Sequence, residues 1–275
     1  MVHVRFDLNV NKECLMKKLM IAATAIMGIM LAGCSPKQSA NQPSDTMTVV
    51  NHAQKAAHRV KSGNLVQINK NTQNNKTSTG KFSAKFHLKP MIVQAKLNNT
   101  AGLVKNYDYF IDGRTVYIHA DNSWSKQRLP KKSPLIKSVR RQVSGSASAK
   151  AMQYLKKHLK LQKNKTTDVL SYNGHGKLGS MVAKKLILAE ANYTESTKNV
   201  LKKVTITKFT YKYTLDKKTY LPTNTDIYMQ YQDKSSKKSI TEEVTSTYSN
   251  VNQVKKFKVP ASIKHNAPST NQVNE

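Results

Sequence analysis

The chain has 275 residues, with 46 Lys and Arg against 15 Asp and Glu and a formal net charge of +31. That balance favours anionic surroundings in a salt-dependent way, whether nucleic acid, acidic lipid headgroups or phosphate-rich wall polymers, and says nothing of fold. There are only two cysteines, and Cys14 lies in a segment read below as removed, which excludes an intramolecular disulfide, a zinc ribbon or a thiol–disulfide enzyme.

Lys17 and Lys18 precede fourteen mostly apolar residues, Leu19 to Ala32, which close on Leu31-Ala32-Gly33-Cys34. Fourteen falls short of the ~20 needed to span a bilayer; a basic start, an apolar middle and small residues before a cut are the parts of an export signal. The stretch resembles a bacterial lipoprotein signal. That resemblance implies a diacylglyceryl group on the Cys34 sulfur and cleavage between Gly33 and Cys34, so that residues 1–33 are a signal peptide. An ordinary buried thiol is the plainer alternative, but the Lys-Lys start and the placing of Leu-Ala-Gly-Cys favour lipidation. Two acyl chains, at ~0.8 kcal/mol per buried CH2, hold a protein firmly to a membrane surface. The expected location is the outer face of the cell membrane, which argues against a nucleic-acid partner. Residues 1–15 fit no part of this scheme, and Met16 opens a conventional signal, so the true start is suspected to be Met16. Removing residues 1–33 takes out Arg5, Lys12, Lys17 and Lys18 with Asp7 and Glu13, leaving +29.

Ser35 to Asp45 has two prolines and no apolar periodicity, the composition of a flexible tether after the lipidated Cys34. Its eleven residues reach roughly 17–20 Å. Val49, Ala53, Ala56, Ala57 and Val60 then fall on one stripe of a predicted helix, with Asp45 or Thr46 to cap it and Ser62-Gly63 to end it. Its small side chains suit close packing on a sheet.

From Asn64 the period becomes two: Val66 and Ile68; Phe82, Ala84, Phe86 and Leu88; Met91, Val93, Ala95 and Leu97; Tyr107, Tyr109 and Ile111. This predicts antiparallel strands with one apolar and one wet face, joined by polar connections at Asn71–Gly80 and Asn98–Gly102. Asp112-Gly113, between Tyr107–Ile111 and Arg114–Ile118, predicts a hairpin with a type I′ turn. Pro134 to Val143 reads as a helix, Ser144-Gly145-Ser146 as a break, and Ala151, Met152, Leu155 and Leu159 as a second helix. Thr166–Tyr172 reads as a strand and Met181–Ala191 as a third helix. Gly174-His175-Gly176-Lys177-Leu178-Gly179 lacks the Lys-Ser/Thr pair of a phosphate loop, so a plain loop is expected.

Strands return with Val204 and Ile206 on one parity and Phe209, Tyr211, Tyr213 and Leu215 on the other, which a β-bulge near Thr207 or Lys208 would reconcile. Asp216-Lys217-Lys218 turns the chain; Ile227, Met229 and Tyr231, then Ile240, Val244 and Tyr248, mark further strands. Val254, Phe257 and Val259 lead to Pro260, and the polar tail from Asn266 is expected to be disordered.

The lipobox, tether and Ala-rich helix are followed by the Tyr109-Phe110-Ile111-Asp112-Gly113 hairpin and Trp124-Ser125-Lys126. Asp216-Lys217-Lys218-Thr219-Tyr220-Leu221-Pro222 and Phe257-Lys258-Val259-Pro260 complete a set that resembles the LolA/LppX-like lipoproteins, more narrowly their Gram-positive branch. The resemblance covers about 46–265 as a single domain. It implies a β-dominated α+β fold: a curved antiparallel sheet, an incomplete barrel of about ten strands, covered by a few helices. For characterised relatives it implies an apolar cavity for acyl chains. The founding member is a soluble carrier, whereas this chain looks tethered, and none of the family's ligand contacts can be matched to a position here.

A long apolar sheet face with few large groups to cover it also favours a gap. Phe82, Phe86, Phe110, Phe209, Tyr211 and Tyr213 are candidates to line it, against the plainer reading that aromatics at strand spacing are core. The basic run Lys126, Arg128, Lys131, Lys132, Lys137, Arg140 and Arg141 is either a solvated surface or a contact for anionic headgroups and wall polymers. Glu242-Glu243 point to opposite faces of a strand, His52 and His58 are off the three-or-four spacing of a shared helix face, and no nucleophile motif occurs. Neither an enzyme, a metal nor a cofactor is expected. The leading expectation is a membrane-anchored binder of a lipid or other amphipathic ligand. The alternative is a non-enzymatic envelope protein whose basic surface contacts wall polymers, membrane or a protein partner.

Overall fold

In a computed structural model the chain is described over residues 45–99, 106–120, 122–131, 133–190 and 195–269. The signal segment, Cys34, the tether before Asp45, the Thr100–Gly102 part of one connection and residues 270–275 lie outside the described residues.

One sheet of eleven antiparallel strands organises the molecule, in the order β6-β5-β4-β3-β2-β1-β11-β10-β9-β8-β7. Its first half is a meander: β1 (Ser62–Gln73), β2 (Lys76–Leu88), β3 (Met91–Asn99), β4 (Tyr107–Asp112), β5 (Thr115–Ala120) and β6 (Ser123–Arg128). Its second half is β7 (Lys160–Lys163), β8 (Thr167–His175), β9 (Val204–Asp216), β10 (Pro222–Asp233) and β11 (Ser239–Ser249). The halves join where β11 returns to β1, from Asn64 opposite Ser249 to Gln73 opposite Ile240. The sheet is not closed into a barrel, and the expectation of an open, β-dominated architecture holds. Helix α1 (Asp45–His58) precedes β1; α2 (Pro134–Val143) and α3 (Ser146–Leu155) separate the halves; α4 (Gly176–Glu190) and α5 (Glu195–Lys203) separate β8 from β9; α6 (Ala261–Asn266) follows β11.

The halves are clad differently. Over the second, α1, α3 and α4 bury Val49, Ala53, Met152, Leu155, Ala183 and Leu186 against Phe209, Tyr211, Tyr213 and Leu215. Over the first, α2 contributes Val139 and Val143 to a cluster with Leu65, Phe86, Val93 and Ile111. The first half is also apolar on its opposite face, where Ile92, Phe110 and Tyr117 pack with Val259 and Ala267. The expected wet face is therefore absent there. A C-terminal strap accounts for it: Asn252 N–H donates to Ser62 O, Lys264 Nζ pairs with Asp112 Oδ2 at 2.7 Å, and Lys126 N–H donates to Pro268 O. Asn266 to Ser269, expected in a disordered tail, are held on β6.

Several local expectations need correction. Around Val66 and Ile68 on β1 it is Leu65 and Gln67 that are buried; Gln67 takes the inward parity because Gln142 Nε2 on α2 donates to its Oε1 at 3.1 Å. Helix α1 ends at His58, and Ser62-Gly63 already belongs to β1. Asn71–Gly80 is not a connection but the continuation of β1 and β2, turned by Asn74 and Asn75 at φ 51° and 59°. The β4–β5 hairpin turns on Gly113-Arg114, with Asp112 paired to Thr115 and a positive φ at Gly113 but not Arg114, the type II′ pattern. The bulge falls where expected: Gln230 pairs with Lys208 and Tyr231 with Ile206, leaving Thr207 as the extra residue.

Candidate functional site

The six aromatics do not form one site. Phe209, Tyr211 and Tyr213 share the cluster beneath α1, α3 and α4, Phe82 and Phe86 the cluster beneath α2, and Phe110 faces the strap on the other side of the sheet. Phe110 changes face because β4 alternates: Tyr109 and Ile111 take the helix side, so Phe110 meets Trp124, with ring centroids 5.7 Å apart. The other five are spent on packing. Phe86 is fully buried against Gly63, where an added Cβ would lie 2.9 Å from its ring. Tyr211 Oη donates to Ser148 O at 2.9 Å. Burial pushes the Tyr213 phenol well above its ordinary pKa, and its hydroxyl, like that of the facing Thr225, has no partner among the described residues. Of the basic run, Lys132 lies outside the described residues, Arg128, Lys131 and Lys137 are exposed, Lys126 Nζ donates to Lys264 O, and Arg140 Nη1 donates to Leu88 O.

An open groove lies at the rim, between α4 and β9. Strand β8 ends at His175, opposite Lys208, and Gly176 at φ +63° turns the chain directly into α4. The glycine run is thus no loop but a strand end and a helix start. Gly179 lets α4 cross β8 closely, since a Cβ there would stand 2.6 Å from the Gly174 carbonyl carbon. Because β8 stops, β9 from Val204 to Thr207 has β10 on one side and, among the described residues, no strand on the other. The result is a groove of about 710 Å³ lined by Gly176, Lys177, Ser180, Met181, Lys184 and Lys185 of α4 and Thr205, Ile206 and Thr207 of β9.

Its chemistry is amphipathic. Met181 is 46% exposed, and beside it Leu178 also faces water on the same helix. Lysine stems extend such an apolar floor while their ammonium groups stay at the edge. Every charged lining residue is a lysine. Tyr231, opposite Ile206 on β10, has its phenol pushed up to about 12, chiefly by burial and secondly by Glu242, so it stays neutral beneath this floor. The groove escaped sequence reasoning because it depends on where β8 stops; the outward apolar pair Leu178 and Met181 among lysines was its one visible sign. Among the described residues no three His, Cys, Asp or Glu side chains lie together as metal ligands would.

These features define an open antiparallel sheet with α1 to α4 on one face, the C-terminal strap on part of the other and a cationic, apolar-floored groove at its rim. The chain belongs to a family of unknown function, DUF6612, whose model matches residues 45–268. No curated protein matches it. Among solved structures it is similar to the lipoprotein LppX of Mycobacterium tuberculosis, at 10% identity over 78% of this chain and 100% of that one, with a TM-score of 0.41. It is also similar to LprF of Mycobacterium bovis, at 10% identity, 80% and 98% coverage and a TM-score of 0.42. A third is a LolA-superfamily protein of Nitrosomonas europaea, at 11% identity, 79% and 96% coverage and a TM-score of 0.28. This is the group the sequence motifs resembled.

Proposed function

We propose that the protein is an envelope lipoprotein, anchored through acylated Cys34, which binds an anionic amphiphile without catalysis. The observation that carries the reading is the groove between α4 and β9: an apolar floor of Met181 and Ile206 bounded by Lys177, Lys184 and Lys185, with no acidic group in its lining. A carboxylate or phosphate headgroup satisfies the lysines while its chain covers Met181, and about 710 Å³ is within the range of small-ligand sites. The ligand thus lies between sheet and helix, at the rim, and the aromatic interior serves as core. Lipobox and tether supply the membrane location.

The test is binding of a fluorescent fatty acid to the delipidated full-length protein. Saturable uptake is expected, with Met181→Glu weakening it roughly tenfold, or ~1.4 kcal/mol, and a long-chain alcohol competing less well than the acid. No saturable uptake by the unmodified protein, or full uptake by Met181→Glu, overturns the proposal. For the anchor, Cys34→Ala abolishes lipid labelling and signal removal; an unchanged lipid-labelled band refutes that assignment.

A further inference from the structure

The end of the sheet that carries the tether is ringed by cations. Helix α1 starts at Asp45, which Lys163 of the edge strand β7 fixes with a 2.6 Å ion pair. The helix then runs along one end of the sheet: His52 stacks on Tyr220 of the β9–β10 turn, with centroids 4.6 Å apart, and just past its last turn Lys61 N–H donates to Asn252 beyond β11. One face of α1 is spent on the core, through Val49, Val50, Ala53, Ala56 and Ala57, while Lys55 on its other face and Arg59 just past its end are exposed. Lys163, Lys165, Lys217 and Lys218 stand exposed at the same end, where Lys163 pairs with Asp168 across β7–β8 and Thr167 with Asp216 across β8–β9.

Three carboxylates offset only part of this charge: Asp45 pairs with Lys163, Asp168 is buried, and Asp216 Oδ1 accepts from the Lys218 and Thr219 amides and the Thr219 hydroxyl, which hold its carboxyl below the usual range and keep it negative, against the six cations Lys55, Arg59, Lys163, Lys165, Lys217 and Lys218. Lysines on an outer strand also discourage edge-to-edge pairing, a role that fits Lys163 but not the cations of α1 or the β9–β10 turn. Ten residues separate Cys34 from Asp45, a flexible reach of roughly 16–19 Å. An anchored chain therefore brings this end, and not the opposite one, within reach of the headgroups, and charge decides whether it docks. Strand β8 alone sets the groove ~30 Å further away.

We infer that the end of the sheet bearing Lys55, Arg59, Lys163, Lys165, Lys217 and Lys218 docks on the anionic headgroups of the membrane that holds Cys34, so that the groove opens away from the bilayer. The inference rests on the anchor reading of Cys34, and its failure is separable from that of the anchor.

The test uses acylated protein reconstituted in vesicles carrying a headgroup quencher. The processed, acylated chain no longer carries Cys14, so one fluorophore is placed at Lys165→Cys or, at the opposite end, at Lys237→Cys. In phosphatidylcholine with phosphatidylglycerol, the label at 165 is quenched and that at 237 is not. Quenching at 165 is lost in pure phosphatidylcholine, in ~1 M salt where screening acts within ~3 Å, and on combining Lys55→Gln, Arg59→Gln and Lys218→Gln. Equal quenching at both positions, stronger quenching at 237, or none at 165 in anionic vesicles overturns the inference. So does a docking end that ignores anionic vesicles but binds soluble polyphosphate, which would make a wall polymer the partner. Failure of the protein to stay on pure phosphatidylcholine vesicles at all is instead a failure of the anchor.

Discussion

The two halves of the sheet solve the same problem in different ways. The second half buries one face under three helices and leaves the other polar, where Thr245, Asp226 and Asn224 form a hydrogen-bonded row. The first half has chiefly α2 over its helix-side face and recruits the C-terminal strap for the other. Where a strand is covered on both faces, its sequence loses alternation and becomes a run, as in Tyr109-Phe110-Ile111. Where it is covered on one, alternation persists, as in Phe209, Tyr211, Tyr213 and Leu215.

The strap is where this comparison breaks most easily. Ending the chain at Lys256 removes Phe257, Val259, Ile263 and Ala267 and uncovers Ile92, Phe110 and Tyr117. At about 1.5–3 kcal/mol per large buried side chain, the expected loss is roughly 5 kcal/mol, read by urea unfolding. Hydrogen exchange locates it: β4 to β6 lose protection while β9 and β10 keep theirs. Equal loss in both halves would mean that the strap is not specific to the first.

A smaller effect belongs to the second half. Gly179→Ala places a methyl against the Gly174 backbone and pushes α4 off β8, at about 1–3 kcal/mol. Because α4 walls the groove, fatty-acid affinity changes in the same variant; a destabilised protein with unchanged affinity would separate the crossing from the groove. Next come the stacked tyrosines of β9, Tyr211 and Tyr213. Tyr211→Phe loses the bond to Ser148 and costs about 1 kcal/mol, whereas Tyr213→Phe removes a buried hydroxyl without a partner among the described residues and is neutral or slightly stabilising. Thermal unfolding of the pair gives the order directly.

What was legible in the sequence follows the same division. Alternating strands, the Ala-rich helix, the Ser144-Gly145-Ser146 break and the Thr207 bulge were readable because each is set by local pattern. The Val66 and Ile68 parity misled because a polar Gln67 faces inward toward Gln142, 75 residues away. Phe110 misled because its cover comes from the strap, more than a hundred residues on. Helix α5 and the short β7 lie in Lys-rich stretches whose few apolar residues show no clear period, and the groove exists only because β8 stops before β9 does.

The smallest expected effect compares two turns with one design. At the tether end, Asp216 accepts from Lys218 and Thr219; at the opposite end, Asp233 accepts from the amides and hydroxyls of Ser235 and Ser236. Those bonds favour the ionised form, led by the Ser235 hydroxyl, and lower the Asp233 carboxyl to about 2. A carboxyl depressed in the folded state contributes stability above its unfolded value of ~3.9 and loses it as pH falls through the folded one. Both turns therefore loosen on acidification, the Asp233 turn fully only below about pH 2. Its carboxylate is solvated, so global stability barely registers the change, and the local readout is amide chemical shifts of Ser235 and Ser236 against pH. Asp233→Asn flattens that titration while leaving the Thr219 amide untouched. A Ser236 amide that titrates with an unshifted carboxyl midpoint would show that the turn does not hold its charge.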